Sequence, residues 1–458
     1  MDPKGKNVLV LGLGISGMSM VRWLTNRGAT VRAADTRSVP PLIGRMRDEF
    51  PGVDVRLGKF EERTFAGIDV VAISPGVPLA EPLVRRARDR GVPIVGDIEL
   101  FAQVRRQYLH CKVIAITGSN GKSTVTEMVG AMCKAAGVRT QVAGNIGLPV
   151  LDVLSDIDAG KRRTPDLFVL ELSSFQLETT ATLNAEAAVV LNLSEDHLDR
   201  YHDVNEYADT KSRIFQGDGV QILNRQDALS RQMALGGRCA FTFGSDEPRD
   251  RHEWGLRTVD GELWLAEGPE NLIKASELQV VGTHNLTNAL AALALCRGIR
   301  LPYPRLLQGL REFAGLPHRV QKIAEFGGIR FIDDSKGTNV GATVAALNGL
   351  DGRSVVILGG EGKGQDFAPL KSAIARKARA VVLIGRDANL IERAIAASGA
   401  KIERAADMDE AVKRAYELAQ PGDAVLLSPA CASFDMFRDY RHRAEVFAQV
   451  VAKLEQSQ

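Results

Sequence analysis

The chain has 458 residues, of which 45% are hydrophobic and 25% charged, with a formal net charge of +2. These fractions belong to a globular protein and exclude a mostly disordered chain, and domains of about 100–200 residues predict roughly three of them. The near-neutral charge argues against general nucleic-acid binding, which relies on many Lys and Arg side chains to neutralise phosphates.

The N-terminal segment MDPKGKNVLVLGLG carries charge without a long apolar core or a small-residue cleavage site, so no signal peptide is expected. Apolar, mostly β-branched runs then alternate with helical stretches, at 7–11, 69–73, 113–117, 167–171, 187–191, 354–358, 380–384 and 423–427. Continuous runs of this kind fit strands buried on both faces of parallel sheets, and the alternation implies right-handed βαβ units. The expected class is therefore α/β.

The first run leads into GxGxxG at Gly12, Gly14 and Gly17, ahead of a helix. Glycines there permit a tight turn and a close approach of the backbone to phosphate at a helix N-terminus. Asp35 ends the next apolar run, where an acid could accept a hydrogen bond from a ribose hydroxyl. Ser74-Pro75-Gly76 follows the 69–73 run and would face the same crevice. An NAD site and a phosphate-free packing turn both fit these residues, but nothing downstream supplies a hydride-transfer site.

A weak seam near 97–111 precedes the second glycine loop, Thr117-Gly118-Ser119-Asn120-Gly121-Lys122-Ser123-Thr124, set between a buried strand and a helix. Backbone N–H groups of such a loop cradle phosphates, a lysine at Lys122 neutralises them, and the Ser123 hydroxyl can hold Mg²⁺. Ile116 stands where the common spacing has its first Gly. The 167–171 strand ends in Glu171, followed by Ser173, Ser174 and Gln176. An acid at that strand end can ligate Mg²⁺ or merely cap the strand. After the 187–191 strand come Asn192, Glu195, Asp196, His197 and Asp199, a charged strand end in which a lone His is as readily solvated.

Residues 238–270 hold two of the three tryptophans and turn glycines, and are expected to form a small antiparallel excursion. The 278–296 run is too polar to span a bilayer. In its THNLTNA helix start, Asn285 and Asn288 share a face, and Thr283 could serve as the N-cap. A second seam lies at FAGLPH, 313–318, which gives expected boundaries of 1–105, 106–315 and 316–458. The five cysteines, none in a CxxC pair, are expected to be reduced thiols of a cytoplasmic protein.

The loop TGSNGKST, the strand end LELSSFQL, the segments NLSEDHLDRY and GTHNLTNALAALAL, the tetrapeptide LPHR and the turn DDSKGTN follow one another in this order. Together they resemble the Mur ligase family, ATP-dependent amide-forming ligases of cell-wall precursor synthesis, to which folylpolyglutamate synthetase is related. The resemblance covers nearly the whole chain. It implies a Rossmann-like N-terminal domain, a central P-loop ATPase-type parallel-sheet domain and a Rossmann-like C-terminal domain. GLGISG with ADTR, the SPGV turn and LLSPACASFDMFRDY are most similar to the member that adds D-glutamate to UDP-N-acetylmuramoyl-L-alanine. Another member of the family, such as a folylpolyglutamate synthetase, is the alternative, and an NAD-dependent oxidoreductase a more distant one. The expected reaction activates the alanine carboxylate as an acyl phosphate, with ATP and Mg²⁺, and releases ADP and phosphate. A monomer without nucleic-acid partners or a membrane segment is expected.

The resemblance also implies roles for individual residues. Lys122, His197 and Lys211 would be catalytic. ATP would lie against Gly118, Ser119, Asn120, Gly121, Lys122, Ser123 and Thr124, with His284, Asn285, Asn288, Arg319 and Asp334. Magnesium would be held by Ser123, Glu171, His197 and a carbamylated Lys211. Spacing alone makes Lys211 a solvated helix residue, and only the resemblance gives it this role. The UDP-sugar would meet Gly14, Ile15, Ser16, Asp35, Thr36, Arg37, Gly76 and Asn145. The incoming amino acid would meet Lys336, Thr338, Lys363, Ser433, Phe434 and Tyr440. Gly337 stands where an Ala is expected and Tyr440 where a Phe is.

Overall fold

The computed structural model describes residues 2–105, 111–196, 200–280 and 282–457. The chain folds into two compact units, neither continuous in sequence. One gathers the residues through Leu191 with Tyr207–Phe243 and Ala291–Gly309, and the other holds Asn192–Glu206, Gly244–Leu290 and the rest from Leu310.

The first unit contains two parallel sheets. One runs in the order Asp54–Leu57, Thr30–Asp35, Asn7–Leu11, Val70–Ile73, Ile94–Val95. Val8, Leu9, Val10 and Leu11 are fully buried, as expected of a strand covered on both faces. Chain order reverses between Asn7–Leu11 and Val70–Ile73, and the crevice beyond the carboxyl ends of these two strands is where such sheets bind ligands. The other sheet contributes Ala240–Phe243, Val220–Asn224, Ala187–Val190, Lys112–Thr117, Leu167–Glu171 and Thr140–Gly144, all parallel. Its reversal falls beside Lys112–Thr117, at the start of the second glycine loop.

The second unit contains an antiparallel meander, Glu253–Val259, Glu262–Glu267 and Glu270–Lys274. The excursion is therefore shorter than the expected 238–270, because Ala240–Phe243 pairs in parallel with Val220–Asn224. The unit's six-stranded sheet runs Gln321–Phe326, Ile329–Asp333, Ala424–Leu427, Ser354–Gly359, Ala378–Ile384, Lys401–Arg404, with only the first pair antiparallel. Helices Val340–Gly349, Leu370–Lys377 and Ala388–Ile395 cover one face, and Met408–Leu418 with Tyr440–Gln456 the other. Among the described residues no helix is long and apolar enough to cross a membrane.

Candidate functional site

The first glycine loop works by close approach. A Cβ on Gly17 would lie 1.8 Å from the Gly12 carbonyl oxygen, so only glycine lets the helix Ile15–Asn26 start against the strand end. The Ser74 hydroxyl donates to the same carbonyl at 2.8 Å and ties in the neighbouring turn. Beyond these turns lies a cavity of about 620 Å³. Gly14, Ile15, Ser16, Asp35, Thr36, Arg37 and Gly76 line it from the first sheet, and Asn145 and Gln176 from the second. The eight residues expected around a UDP-sugar are thus gathered on one cavity.

Asp35 is not a free acceptor there. It is 2% exposed, and its Oδ2 accepts from the Leu13 N–H at 2.7 Å. Arg37 reaches it three ways, through its N–H, Nε and Nη2. Burial pushes the Asp35 carboxyl up, but the Arg37 guanidinium and the Leu13 and Arg37 N–H groups outweigh it and hold it below its ordinary value. Its evident work is to brace the glycine loop and to aim Arg37, whose side chain is half exposed at the cavity.

At the second loop, Gly118 and Gly121 have φ of +149° and +82°, conformations that side-chain-bearing residues rarely adopt. Gly121 caps the helix Lys122–Ala135. Lys122 Nζ folds back to donate to the Gly118 and Ser119 carbonyls at 2.8 and 2.9 Å. Beneath the loop lies Lys211, 1% exposed, contrary to the solvated position its spacing suggests. Its Nζ donates to Thr117 Oγ1 and the Gly118 carbonyl, both at 3.1 Å, and sits 4.7 Å from the centre of the Tyr207 ring. The helix Val204–Ser212 turns this residue inward, placing an ammonium group against the phosphate-type loop.

Glu171 occupies the end of the adjacent strand, in register with Ile116, and is 1% exposed. Its Oε1 accepts from Asn145 Nδ2 at 2.8 Å, whereas Oε2 is buried with no hydrogen-bond partner among the described residues. A buried carboxylate oxygen left without a partner is costly unless a cation completes it, so the site fits a hard divalent ion. Among the described residues no group of three or more His, Cys, Asp or Glu forms a metal site by itself, so phosphate oxygens, hydroxyls or water would complete the shell. His197 lies outside the described residues.

In the second unit the turn 333–339 is held from several sides. Asp334 is buried; its Oδ2 accepts from the Ser428 hydroxyl at 2.6 Å and its Oδ1 from the Val320 N–H at 3.3 Å. Burial pushes this carboxyl up to about 7, against the pull of Ser428 and Arg319. A Cβ on Gly337 would lie 2.6 Å from Asp334 Oδ2, which explains the glycine where an alanine was expected. Arg443, buried and pushed down by that burial to about 10, donates to the Ser335 hydroxyl, the Ser335 carbonyl and the Cys431 carbonyl. It was missed in the sequence, where it is one basic residue among several in DYRHR.

Lys336 Nζ lies 3.8 Å from the centre of the Tyr440 ring, and the Tyr440 hydroxyl accepts from Arg441 Nε at 3.2 Å. Ser433 is buried and Phe434 is 69% exposed. Lys363 adopts φ of +53° with Nζ 4.0 Å from Asp196. Thr338 is half-buried in the same turn. His284 has a buried Nδ1 without a hydrogen-bond partner among the described residues, and burial, then Arg319, pulls it down to about 4. Asn288 donates to Asn285 at 3.4 Å, so the two share a face as expected.

Three family models match the chain: "Mur ligase MurD-like, N-terminal domain" at residues 6–96, "Mur ligase middle domain" at 116–296, and "Mur ligase, glutamate ligase domain" at 318–431. UDP-N-acetylmuramoylalanine–D-glutamate ligase of Methylobacillus flagellatus is 56% identical over 99% of this chain and 98% of its own. The protein of the same name from Nitrosospira multiformis is 54% identical over 99% and 97%. Among solved structures, UDP-N-acetylmuramate-alanine ligase of Thermotoga maritima is similar in fold, with a TM-score of 0.60 at 18% identity over 99% of this chain and 100% of its own. A pseudomurein peptide ligase type C of Methanothermus fervidus is similar to the same degree, with a TM-score of 0.60 at 19% identity over 98% and 100%.

Proposed function

The chain belongs to the Mur ligase family, with its three-domain α/β fold, and from that premise we propose that it joins D-glutamate to UDP-N-acetylmuramoyl-L-alanine at the expense of ATP, in peptidoglycan precursor synthesis. The observation that carries this reading is the 56% identity to a ligase of that name along 99% of the chain. The oxidoreductase reading of the first glycine loop is set aside, since the whole chain, that loop included, aligns with ligases. We assign the UDP-sugar to the cavity beyond that loop, ATP to the 118–124 loop, and the amino acid to the domain that begins near residue 316. A cytoplasmic location is the reading that five cysteines held as free thiols support.

The alanine carboxylate is a poor acyl donor, and its conversion to an acyl phosphate makes it a good one; the D-glutamate amine then displaces phosphate. Lys122 offsets negative charge on the transferred phosphoryl group, since such transfers depend on positioning and electrostatics. Ser123, Glu171, Lys211 as a carbamate, and His197 are the proposed holders of magnesium, which when bound screens the charges of three anionic partners. The unpartnered Oε2 of Glu171 supports that placement. Asn145 fixes the other Glu171 oxygen, so the metal carboxylate is oriented from the UDP-sugar cavity. Lys336 on the face of Tyr440 offers a cation to a carboxylate of the incoming amino acid.

Phosphate release by the purified chain tests the reading. Turnover is expected with ATP, UDP-N-acetylmuramoyl-L-alanine and D-glutamate together, and not with any one of them withheld. Turnover with a different amino acid but not with D-glutamate would overturn it in favour of another member of the family.

A further inference from the structure

The helix Asp97–Val104 buries acidic residues that no proposed step uses. Its N-cap, Gly96, lies so close to the 176–182 segment that a Cβ there would stand 2.3 Å from Thr179 Oγ1. Glu99 then accepts from the Ala181 N–H at 2.7 Å, the Thr182 N–H at 3.0 Å and the Thr182 hydroxyl at 2.8 Å. Asp97, 2% exposed, accepts from Gln176 Nε2 at 3.3 Å.

Gln176 is a wall of the cavity assigned to the UDP-sugar. Burial pushes the Asp97 carboxyl up and the Gln176 hydrogen bond pulls it down, and the amide is set with its nitrogen toward Asp97. The amide oxygen consequently faces Ser173, accepting from its N–H at 3.1 Å and its hydroxyl at 3.3 Å. This closes a capping box on the short helix Ser174–Leu177, which begins three residues after Glu171. The other wall residue, Asn145, donates to Glu171 itself. Of the two amides of the cavity wall, Asn145 is thus held to Glu171 and Gln176 to Ser173 just beyond that strand, with Asp97 aiming Gln176 from the helix Asp97–Val104.

We propose that Asp97 is a positioning residue for the UDP-sugar site, acting through the Gln176 amide, with Gly96 and Glu99 holding the two segments at the required distance. The proposal rests on the reading of the cavity as the UDP-sugar site. It differs from a purely structural role in one respect: the loss of Asp97 should be felt by one substrate selectively.

The test is steady-state kinetics on Asp97→Ala, Asp97→Asn, Gln176→Ala and the Asp97→Ala/Gln176→Ala double variant, each with its thermal midpoint. A buried amide donor left without its partner costs enough that Asp97→Ala should raise KM for UDP-N-acetylmuramoyl-L-alanine about tenfold. KM for D-glutamate should stay within about twofold. Asp97→Asn keeps an acceptor for the Gln176 amide and should restore most of the effect. The double variant should be no worse than Gln176→Ala alone, because the two act in series. A lowered thermal midpoint with every KM unchanged, or additive effects in the double variant, would overturn the proposal while leaving the substrate assignment standing. Wild-type protein without turnover on the UDP-sugar would overturn both.

Discussion

Lys211 carries the most information per atom. A lysine whose Nζ is buried against a hydroxyl and a carbonyl gives up hydration, and such groups are seldom placed without a use. Loss of one proton from that cation, then addition of CO₂ to the neutral amine with loss of a second, would turn it into a carbamate anion at the second glycine loop. Lys211→Arg cannot undergo this and should lower kcat about a hundredfold, the scale of removing one preorganised electrostatic group. The wild-type rate should fall after thorough decarbonation and recover with bicarbonate, whereas the variant should be indifferent. A wild type equally indifferent would remove the carbamate and leave Lys211 an ammonium group.

His284 makes a second prediction at this scale. Its folded-state pKa of about 4 lies below the ordinary 6.5, through burial and then Arg319. Between those values the unfolded chain binds more protons than the folded one, so stability falls as pH is lowered from 6.5 toward 4. The contribution lost between pH 7 and pH 5 is about 2 kcal/mol. His284→Asn should flatten that part of the stability profile, measured by denaturant midpoints at the two pH values.

At the scale of elements, the strands were readable because parallel sheets bury both faces and leave apolar runs without alternation. Leu167–Glu171 and Asn7–Leu11 have the bounds expected of them. Side-chain direction was not readable. Nothing local in YADTKSRIF shows that Lys211 bends under a loop more than ninety residues earlier. Nor does ADTR show that Arg37 would turn back to occupy the acid beside it. Ala240–Phe243 was absorbed into the antiparallel excursion because a four-residue strand carries too little pattern to reveal its partner. The glycine-loop element also yields a prediction. Gly17→Ala forces a Cβ into the Gly12 carbonyl and should destabilise the protein by about 1–3 kcal/mol, read as a lower denaturant midpoint with an unchanged slope. A change at Gly14, where no atom lies within 4 Å of an added Cβ, should be far milder.

For the whole molecule, length suggested about three domains, and the chain carries three sheets in two compact units, neither continuous in sequence. Both sheets of the first unit are joined by ion pairs such as Arg22 to Asp152 and Arg27 to Asp158, and by the Glu99 contacts. Those pairs link residues about 130 positions apart, a separation that no local pattern encodes. The unit is also completed late in the sequence. Gly298 packs against Ala187 and Val220, and Gly309 against Met132 of the phosphate-loop helix. Cys296 meets Cys133 at 3.7 Å.

Late completion has a consequence during synthesis. A chain emerging from the ribosome N-terminus first has both glycine loops outside long before residues 291–309 exist. Until then Ala187, Val220 and the helix Lys122–Ala135 lack part of their cover, and apolar surface left open in this way favours misassociation. The unit can therefore be completed only after residues 291–309, the end of one helix and most of the next, have been made.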